Sequence, residues 1–319
     1  ELYTMGDTLG TGGFAVVRLA TQKKSGKKVA MKVMNLPKIT NKETEQARDD
    51  IFYEIGLLAR LDSPYVIKLD EFFVDGSKVY LATELLGGGD LLDAVLDCGH
   101  YDESLARNIF KRVLLGITYL HECGITHRDM KLENLLLGSG SNLDTVKICD
   151  LGLAKKASEK LSKTVCGTPQ YVSPEVINSK PGQSYGPEVD NWACGIILFI
   201  LLSGYPPFAH KSEQHLYKLI KKGDFSFKSS PVWEKVSDDA KDLIMAFLTV
   251  DVHERMTAAA ALKSHPWFSG TSSDSHVPLL ETQTNLKNTY RKVFKKGINA
   301  VLTMNRMSAL AGAGAFAAA

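Results

Sequence analysis

The residues best placed to do chemistry lie in one short stretch, His127-Arg128-Asp129-Met130-Lys131-Leu132-Glu133-Asn134, followed after a strand-like run by Asp150-Leu151-Gly152. Asp129 can take a proton, Lys131 stands two residues on, and Asn134 three further, all in one polar loop. Keeping such a loop in an apolar region is expensive, because each buried polar group without a partner loses roughly 1–3 kcal/mol. Asn134 and Asp150, brought together, can hold a divalent metal through oxygen, which leaves Asp129 to orient a hydroxyl nucleophile. The chemistry outlined is phosphoryl transfer. A His-Arg-Asp triplet alone is more often a solvated loop. The spacing to Asn134 and Asp150 lifts it above that reading.

The elements that position this loop must come from a chain of 319 residues, 44% hydrophobic and 23% charged, which is enough for one two-lobed unit with a substantial core. No Lys/Arg-then-apolar leader opens the sequence, and the longest apolar run, Ile196 to Leu202, is too short to span a bilayer. A soluble chain is expected, with neither a membrane span nor nucleic acid among its partners. Five cysteines are scattered without a Cys-x-x-Cys pair, which points to a reducing compartment, cytoplasm or nucleus. The chain begins at Glu1 without an initiator Met, so a fragment with missing flanks is expected. Charge is unevenly spread: residues 1–281 carry 32 basic against 36 acidic side chains, whereas the remainder carries six bases and no acid. The basic tail is expected to dock on its own body.

Near the start, Leu9-Gly10-Thr11-Gly12-Gly13-Phe14-Ala15-Val16-Val17 sets glycines between two strand-like runs. A dinucleotide-binding turn needs a helix after the glycines, but Ala15 to Ala20 is β-branched and apolar, and Ser25-Gly26 then turns into a second strand, Lys27 to Met34. No Gly-Lys-Ser/Thr follows, which excludes a Walker loop. The pattern predicts a hairpin whose glycine tip lets backbone N–H groups approach phosphate oxygens. Lys32 stands on the second strand, and apolar residues at helical spacing (Ile51, Ile55, Leu58) predict a helix over 44–61 that carries Glu54. Lys32 by itself would be an ordinary strand lysine in water; Glu54 makes an ion pair the expectation. Val66–Val74 and Lys78–Leu85 read as further strands, Gly87-Gly88-Gly89 as the break to a helix-rich half, and Ala106–His121 as a long helix ended at Gly124. Leu135–Leu137 and Val146–Cys149 are short strands, and Asp190-Asn191-Trp192-Ala193-Cys194-Gly195 opens the most apolar helix.

In this order the segments resemble eukaryotic protein kinases over residues 3–268. The finer match of Tyr80–Asp93 and Thr164-Val165-Cys166-Gly167-Thr168-Pro169 resembles the calmodulin-dependent group of Ser/Thr kinases. The resemblance implies an α+β, two-lobed fold. A small antiparallel β-sheet lobe with one main helix would occupy 1–83, a hinge 84–89 and a larger, mainly helical lobe 90–268. It implies ATP as phosphoryl donor, with two Mg2+ ions held by Asn134 and Asp150. Asp129, Lys131 and Asn134 would be the catalytic set. Leu9, Gly10, Gly12 and Gly13 would form the phosphate-covering loop, and Lys32, paired with Glu54, would hold the α- and β-phosphates. Val17, Ala30 and Leu136 would sandwich the adenine, Thr83 would be a small gatekeeper, and Glu84 and Leu86 would offer backbone hydrogen bonds. Thr164 would be the site of an upstream activating kinase, its phosphate collected by Arg128. Thr168 would bond Asp129 and Lys131 and favour Ser/Thr acceptors, and Asp90 and Glu133 would face a substrate Arg three residues before the acceptor. Asp190 would tie down the catalytic loop, and Glu175 would pair with Arg255. Three positions depart from the family pattern: Ala15 for the third glycine, Leu151 within Asp-Leu-Gly, and Ser173 in Ser-Pro-Glu.

Beyond residue 268, a Ser-rich linker is expected over 269–284, an amphipathic basic helix over 285–308 and an uninformative Ala/Gly tail over 309–319. Phe294 and Met307 stand thirteen apart with Ile298 and Val301 between, anchors that the apolar groove of calmodulin can read. The same helix could instead pack on the lobe, or lie on a membrane surface. Three functional readings stand. The first is a basophilic Ser/Thr kinase acting on protein substrates and regulated by its C-terminal segment and Ca2+–calmodulin. The second is a basophilic kinase regulated by activation-loop phosphorylation alone. The third is a pseudokinase scaffold, disfavoured because Lys32, Glu54, Asp129, Lys131, Asn134 and Asp150 are all present.

Overall fold

The computed structural model describes residues 2–11, 15–138, 140, 142–150, 169–179, 185–269 and 277–289, apart from the side chains of residues 43, 47, 50 and 54. Alternating β-branched sequence at the start gives three successive strands, β1 (Tyr3–Thr11), β2 (Ala15–Gln22) and β3 (Lys28–Asn35). With β4 (Leu69–Asp75) and β5 (Lys78–Glu84) they form one antiparallel sheet in the order β1-β2-β3-β5-β4. Between β3 and β4 runs α1 (Lys42–Leu58). Asn41 starts it with a capping box: its side chain accepts from the Thr44 N–H, and Thr44 bonds back to Asn41. The strand expected over Val66–Val74 begins only at Leu69. Residues 65–67 instead pair with the other lobe, where the Ile67 N–H donates to the Ile148 carbonyl and the Ile148 N–H to the Tyr65 carbonyl.

The larger lobe is helical. After the short α2 (Leu91–Asp97) comes α3 (Glu103–Glu122), whose buried face includes Ala106, Ile109, Phe110, Val113, Ile117 and Leu120. That spacing follows the 3.6-residue turn. The strands β6 (Leu135–Leu137) and β7 (Val146–Ile148) pair antiparallel, with Leu136 opposite Lys147. The short α4 (Pro174–Asn178) precedes α5 (Glu188–Ser203), which is buried on all sides from Val189 to Ser203 and forms the axis of the lobe. Around it pack α6 (Glu213–Lys222), α7 (Asp238–Phe247), α8 (Ala258–Ser264) and α9 (Pro266–Ser269), with Phe110, Phe199, Phe247 and Trp267 filling the spaces. No helix among the described residues is long and apolar enough to cross a membrane.

A last helix occupies residues 280–289, five residues earlier than the 285 expected. Leu279 and Leu286 are buried, and Thr282 stands between them, also buried, its hydroxyl donating to the Leu202 carbonyl at 2.6 Å. Gln283 Nε2 donates to the carbonyls of Val95 (2.9 Å) and Cys98 (2.8 Å), and Asn285 Nδ2 to that of Ser203 (2.8 Å). These are carbonyls at the ends of α2 and α5, which the helices themselves leave unsatisfied. At Gly204, in the left-handed region at φ 81°, an added Cβ would lie 2.3 Å from the Thr282 carbonyl oxygen, so only glycine admits this contact. Residues 277–289 are therefore part of the helical lobe, and the linker expected over 269–284 ends sooner.

Candidate active site

The loop His127–Asn134 is held from below by one buried carboxylate. Asp190, in the first turn of α5, accepts the His127 N–H on Oδ2 and the Arg128 N–H on Oδ1, both at 2.8 Å. His121, in the last turn of α3, reaches the same Oδ2 at 2.9 Å. Arg128 lies at φ 66° and Asp150 at φ 56°, the two non-glycine residues in the left-handed region among the described residues. Such conformations cost about 1–3 kcal/mol each and persist only where the surroundings hold them. Asp190 supplies that hold on the Arg128 side.

The His127 ring links the loop to the strand that delivers Asp150. The Asp129 N–H donates to Nδ1 (3.2 Å), which puts the ring proton on Nε2, where it is donated to the Cys149 carbonyl (3.0 Å). The Cys149 N–H in turn donates to the Asn134 carbonyl (2.9 Å), and the Cys149 thiol to the same oxygen. Burial, reinforced by the Asp150 charge, pushes that thiol up to about 12, so it stays protonated and serves as a donor.

Within this frame the polar side chains converge. Lys131 Nζ lies 3.0 Å from Asp129 Oδ2, and Asn134 Nδ2 donates to the Asp129 carbonyl at 2.6 Å, which leaves the Asn134 amide oxygen as an acceptor. Lys32, 118 residues before Asp150 in the chain, places Nζ 2.5 Å from Asp150 Oδ1. The partner expected for Lys32 was Glu54; the described pair is Lys32–Asp150, and the Glu54 side chain lies outside the described residues. Burial alone would raise the Asp150 carboxyl. The charge and hydrogen bond of Lys32, with the charge of Lys131, outweigh burial and leave it below its usual range.

Asn134 and Asp150 thus bring two hard oxygen donors to adjoining segments. Among the described residues no group of three or more His, Cys, Asp or Glu could hold a metal. A donor set of one carboxylate and one amide oxygen fits an ion such as Mg2+, which takes one or two carboxylates and completes its shell with water and substrate phosphates.

The connection between the lobes is equally specific. The gatekeeper candidate Thr83 donates its hydroxyl to the Ala30 carbonyl at 3.2 Å. The Glu84 N–H is engaged by the Lys68 carbonyl (3.0 Å), so the backbone group that Glu84 can offer a ligand is its carbonyl. Gly87 and Gly88 donate to the carbonyls of Gly138 and Leu137, and Leu137 returns a bond to Gly89. A Cβ on Gly88 would sit 2.5 Å from the Gly140 oxygen and 2.6 Å from Leu137 Cβ. That close approach is what the glycine run provides. Leu9, Gly10 and Val17 lie on the β1–β2 hairpin, with Gly10 opposite Val17.

The two acids expected to meet a substrate Arg differ in state. Asp90 caps α2, accepting the Asp93 N–H at 2.8 Å. Glu133 is half-buried, its Oε2 enclosed without a hydrogen-bond partner, and burial, against the opposing pull of its own backbone N–H and Lys131, raises its carboxyl. At the foot of the lobe Arg255 and Glu175 form the ion pair expected, and it is bidentate: Nη1 meets Oε1 (2.7 Å) and Nη2 meets Oε2 (2.9 Å). Gly12, Gly13, Thr164, Thr168, Leu151 and the anchors Phe294, Ile298, Val301 and Met307 lie outside the described residues. Three residues of this region carry no signal in the sequence: His121, Lys147 and Lys68. Each acts through a partner distant in sequence or through its backbone, and no local pattern signals that.

Comparison with known proteins gives a consistent result. Residues 3–268 match the family model described as protein kinase domain. The chain is similar to a calcium/calmodulin-dependent protein kinase type 1 of Macrobrachium nipponense, 39% identical over 92% of this chain and 82% of that one. It is likewise similar to the type IV enzyme of Mus musculus, 37% identical over 96% of this chain and 63% of that one. Among solved structures, Rad53 1–466 in complex with AMP-PNP superimposes with a TM-score of 0.70 at 33% identity, over 84% of this chain and 65% of that one.

Proposed function

This chain belongs to the protein kinase family, as a serine/threonine kinase resembling the calcium/calmodulin-dependent enzymes, and on that premise we propose how its residues divide the work. Asp129 orients the acceptor hydroxyl of a protein Ser or Thr and takes its proton as the γ-phosphoryl group of ATP is transferred. Lys131, 3.0 Å from that carboxylate, steadies it and faces the transferring phosphoryl group. Lys32 binds the α- and β-phosphates, exchanging part of its bond to Asp150 for them. The amide oxygen of Asn134 and the carboxylate of Asp150 are the residues that would hold Mg2+. The metal, when bound, neutralises charge developing on the phosphate oxygens. Val17, Ala30 and Leu136 enclose the adenine, and the Glu84 carbonyl and Leu86 give it backbone partners.

The single observation that carries this reading is the convergence of Lys32, Asp129, Lys131, Asn134 and Asp150 on one loop that Asp190 fixes through two backbone N–H groups. Asp90 and Glu133 select basic substrates, and phosphate on Thr164 activates the enzyme through Arg128. The names of the relatives support a Ca2+–calmodulin response, and the spacing of Phe294, Ile298, Val301 and Met307 makes them the proposed anchors for it. Leu279, Thr282 and Leu286 are buried against the lobe, and the four anchors proposed for calmodulin all follow them in the chain. A truncation after Phe268 would uncover the lobe, so the informative truncation is after Thr289.

The test is transfer of labelled γ-phosphate from ATP to an array of basic Ser/Thr peptides, with and without Ca2+–calmodulin, by the full chain and by residues 1–289. Transfer by the full chain that rises with calmodulin, and is already high in the shorter chain, is expected. Absence of transfer under every condition would overturn the catalytic reading. Equal transfer by both chains, unmoved by calmodulin, would overturn only the regulatory one.

A further inference from the structure

Outside the convergent loop, one charged side chain joins the two lobes beside the hinge. Lys147, on β7 of the helical lobe, places Nζ 2.6 Å from Glu84 Oε1, at the end of β5 in the sheet lobe. The same Oε1 accepts the Lys68 N–H at 2.9 Å, while the Glu84 N–H donates to the Lys68 carbonyl. Both side chains are mostly withdrawn from water, 18% exposed for Lys147 and 27% for Glu84. A pair screened this little by solvent holds its geometry better than a surface ion pair does.

Its position gives the contact a consequence. Lys147 lies opposite Leu136 in the β6–β7 ladder, and Leu136 is the floor proposed for the adenine. Glu84 begins the hinge, and its carbonyl is the backbone group left to meet the adenine edge. The contact therefore ties the strand beneath the base to the backbone beside it. Backbone bonds also hold this region, from residues 65–67 to Ile148 and from Gly87, Gly88 and Gly89 to Gly138 and Leu137; the Lys147–Glu84 contact adds a side-chain tie at the first residue of the hinge.

We infer that Lys147 is a positioning residue for the nucleotide: through Glu84 it sets the separation between the adenine floor and the hinge backbone, and so the affinity for the adenine nucleotide, without touching the ligand. The inference rests on the proposed ATP site. Removing the ammonium leaves the Glu84 carboxylate with the Lys68 N–H as its donor, so the Glu84 end of the hinge loses its side-chain tie to β7 while Gly87, Gly88 and Gly89 stay bonded to Leu137 and Gly138. Coupling through a residue with no ligand contact is commonly worth a several-fold change in affinity.

The experiment measures AMP-PNP binding and steady-state kinetics for the full chain, Lys147→Met, Lys147→Arg, Glu84→Gln and the double variant Lys147→Met/Glu84→Gln. Lys147→Met is expected to weaken AMP-PNP binding and raise the KM for ATP by roughly fivefold. The KM for peptide should stay put, and kcat at saturating ATP should change less than the KM for ATP does. Lys147→Arg should recover most of the affinity, and the double variant should be no weaker than the worse single one, because the two act through one contact. A purely structural lysine would lower the melting temperature and the active fraction and leave the KM for ATP where it was. That result, or additive losses in the double variant, would overturn the inference. If the unmodified chain binds no AMP-PNP, the ATP-site reading itself falls and the inference with it.

Discussion

Two Lys/Arg–carboxylate pairs in this molecule share their chemistry and differ in everything around it. Glu175 and Arg255 meet bidentately at the base of the helical lobe. The Arg255 side chain is 0% exposed, and it also donates to the carbonyls of Thr249, Val250 and Glu188 and lies over the Trp192 ring. Lys32 and Asp150 meet through single atoms in the cleft, where Asp150 is 49% exposed and sits in a left-handed backbone conformation. The first pair has every donor assigned within the protein. The second keeps oxygens and protons that a ligand can claim. A buried, fully bonded pair serves the fold, because breaking it strands a charge; an open, single-contact pair serves exchange, because its members can change partners at little loss.

The comparison breaks most visibly at Glu175. Glu175→Ala would strand the Arg255 guanidinium in the lobe and is expected to lower stability by about 3–5 kcal/mol, as read from the urea midpoint. The cleft pair should behave in the opposite way. Lys32→Met, and Asp129→Asn beside it, should each lower turnover at least about a hundredfold while the urea midpoint moves little, since both alter charge and proton position rather than packing. Turnover near that of the unmodified chain in either variant would sink the assignment of the cleft.

Acid titration sharpens the contrast. Burial would raise the Glu175 carboxyl, but the hydrogen bond and charge of Arg255 outweigh it and hold its folded-state value below the ordinary 4.5. A depressed carboxylate contributes stability that is present above its unfolded pKa and lost as pH falls through the lower folded value. Stability should therefore drop below pH 4.5, and Glu175→Gln should flatten that part of the curve. Unfolding curves whose acid limb is the same in both proteins would place the dependence elsewhere.

The smallest effect concerns Glu133, whose carboxyl burial raises above its ordinary value. Its charge, and with it the preference for Arg three residues before the acceptor, should fade on acidification at a higher pH than an exposed glutamate would give. A few-fold change in the ratio of kcat/KM for Arg and Ala peptides is expected, absent in Glu133→Gln. A ratio that does not move with pH would assign the preference to Asp90 alone.

Much of this was legible without coordinates because it is local. The spacing of Asp129, Lys131, Asn134 and Asp150 and the glycines of the β1–β2 hairpin each impose their chemistry over a few residues. The alternation of the strands and the period of α3 do the same, and the order of these segments is enough to specify two lobes and the loop between them. What the tertiary structure alone decided is which side chains meet across long separations. Lys32 faces Asp150, Lys147 reaches Glu84 across 63 positions, and His121 shares Asp190 with the catalytic loop across 69. The early start of the last helix belongs with these. The buried positions at its start and along it are Leu279, just before the helix, Thr282 and Leu286, and a threonine in the core breaks the apolar period that announces a helix. Thr282 is tolerated there because the Leu202 carbonyl at the end of α5 needs a donor. Periodicity records which residues avoid water, whereas a buried polar residue is chosen by the unsatisfied group opposite it, and that group is known only once the chain has folded.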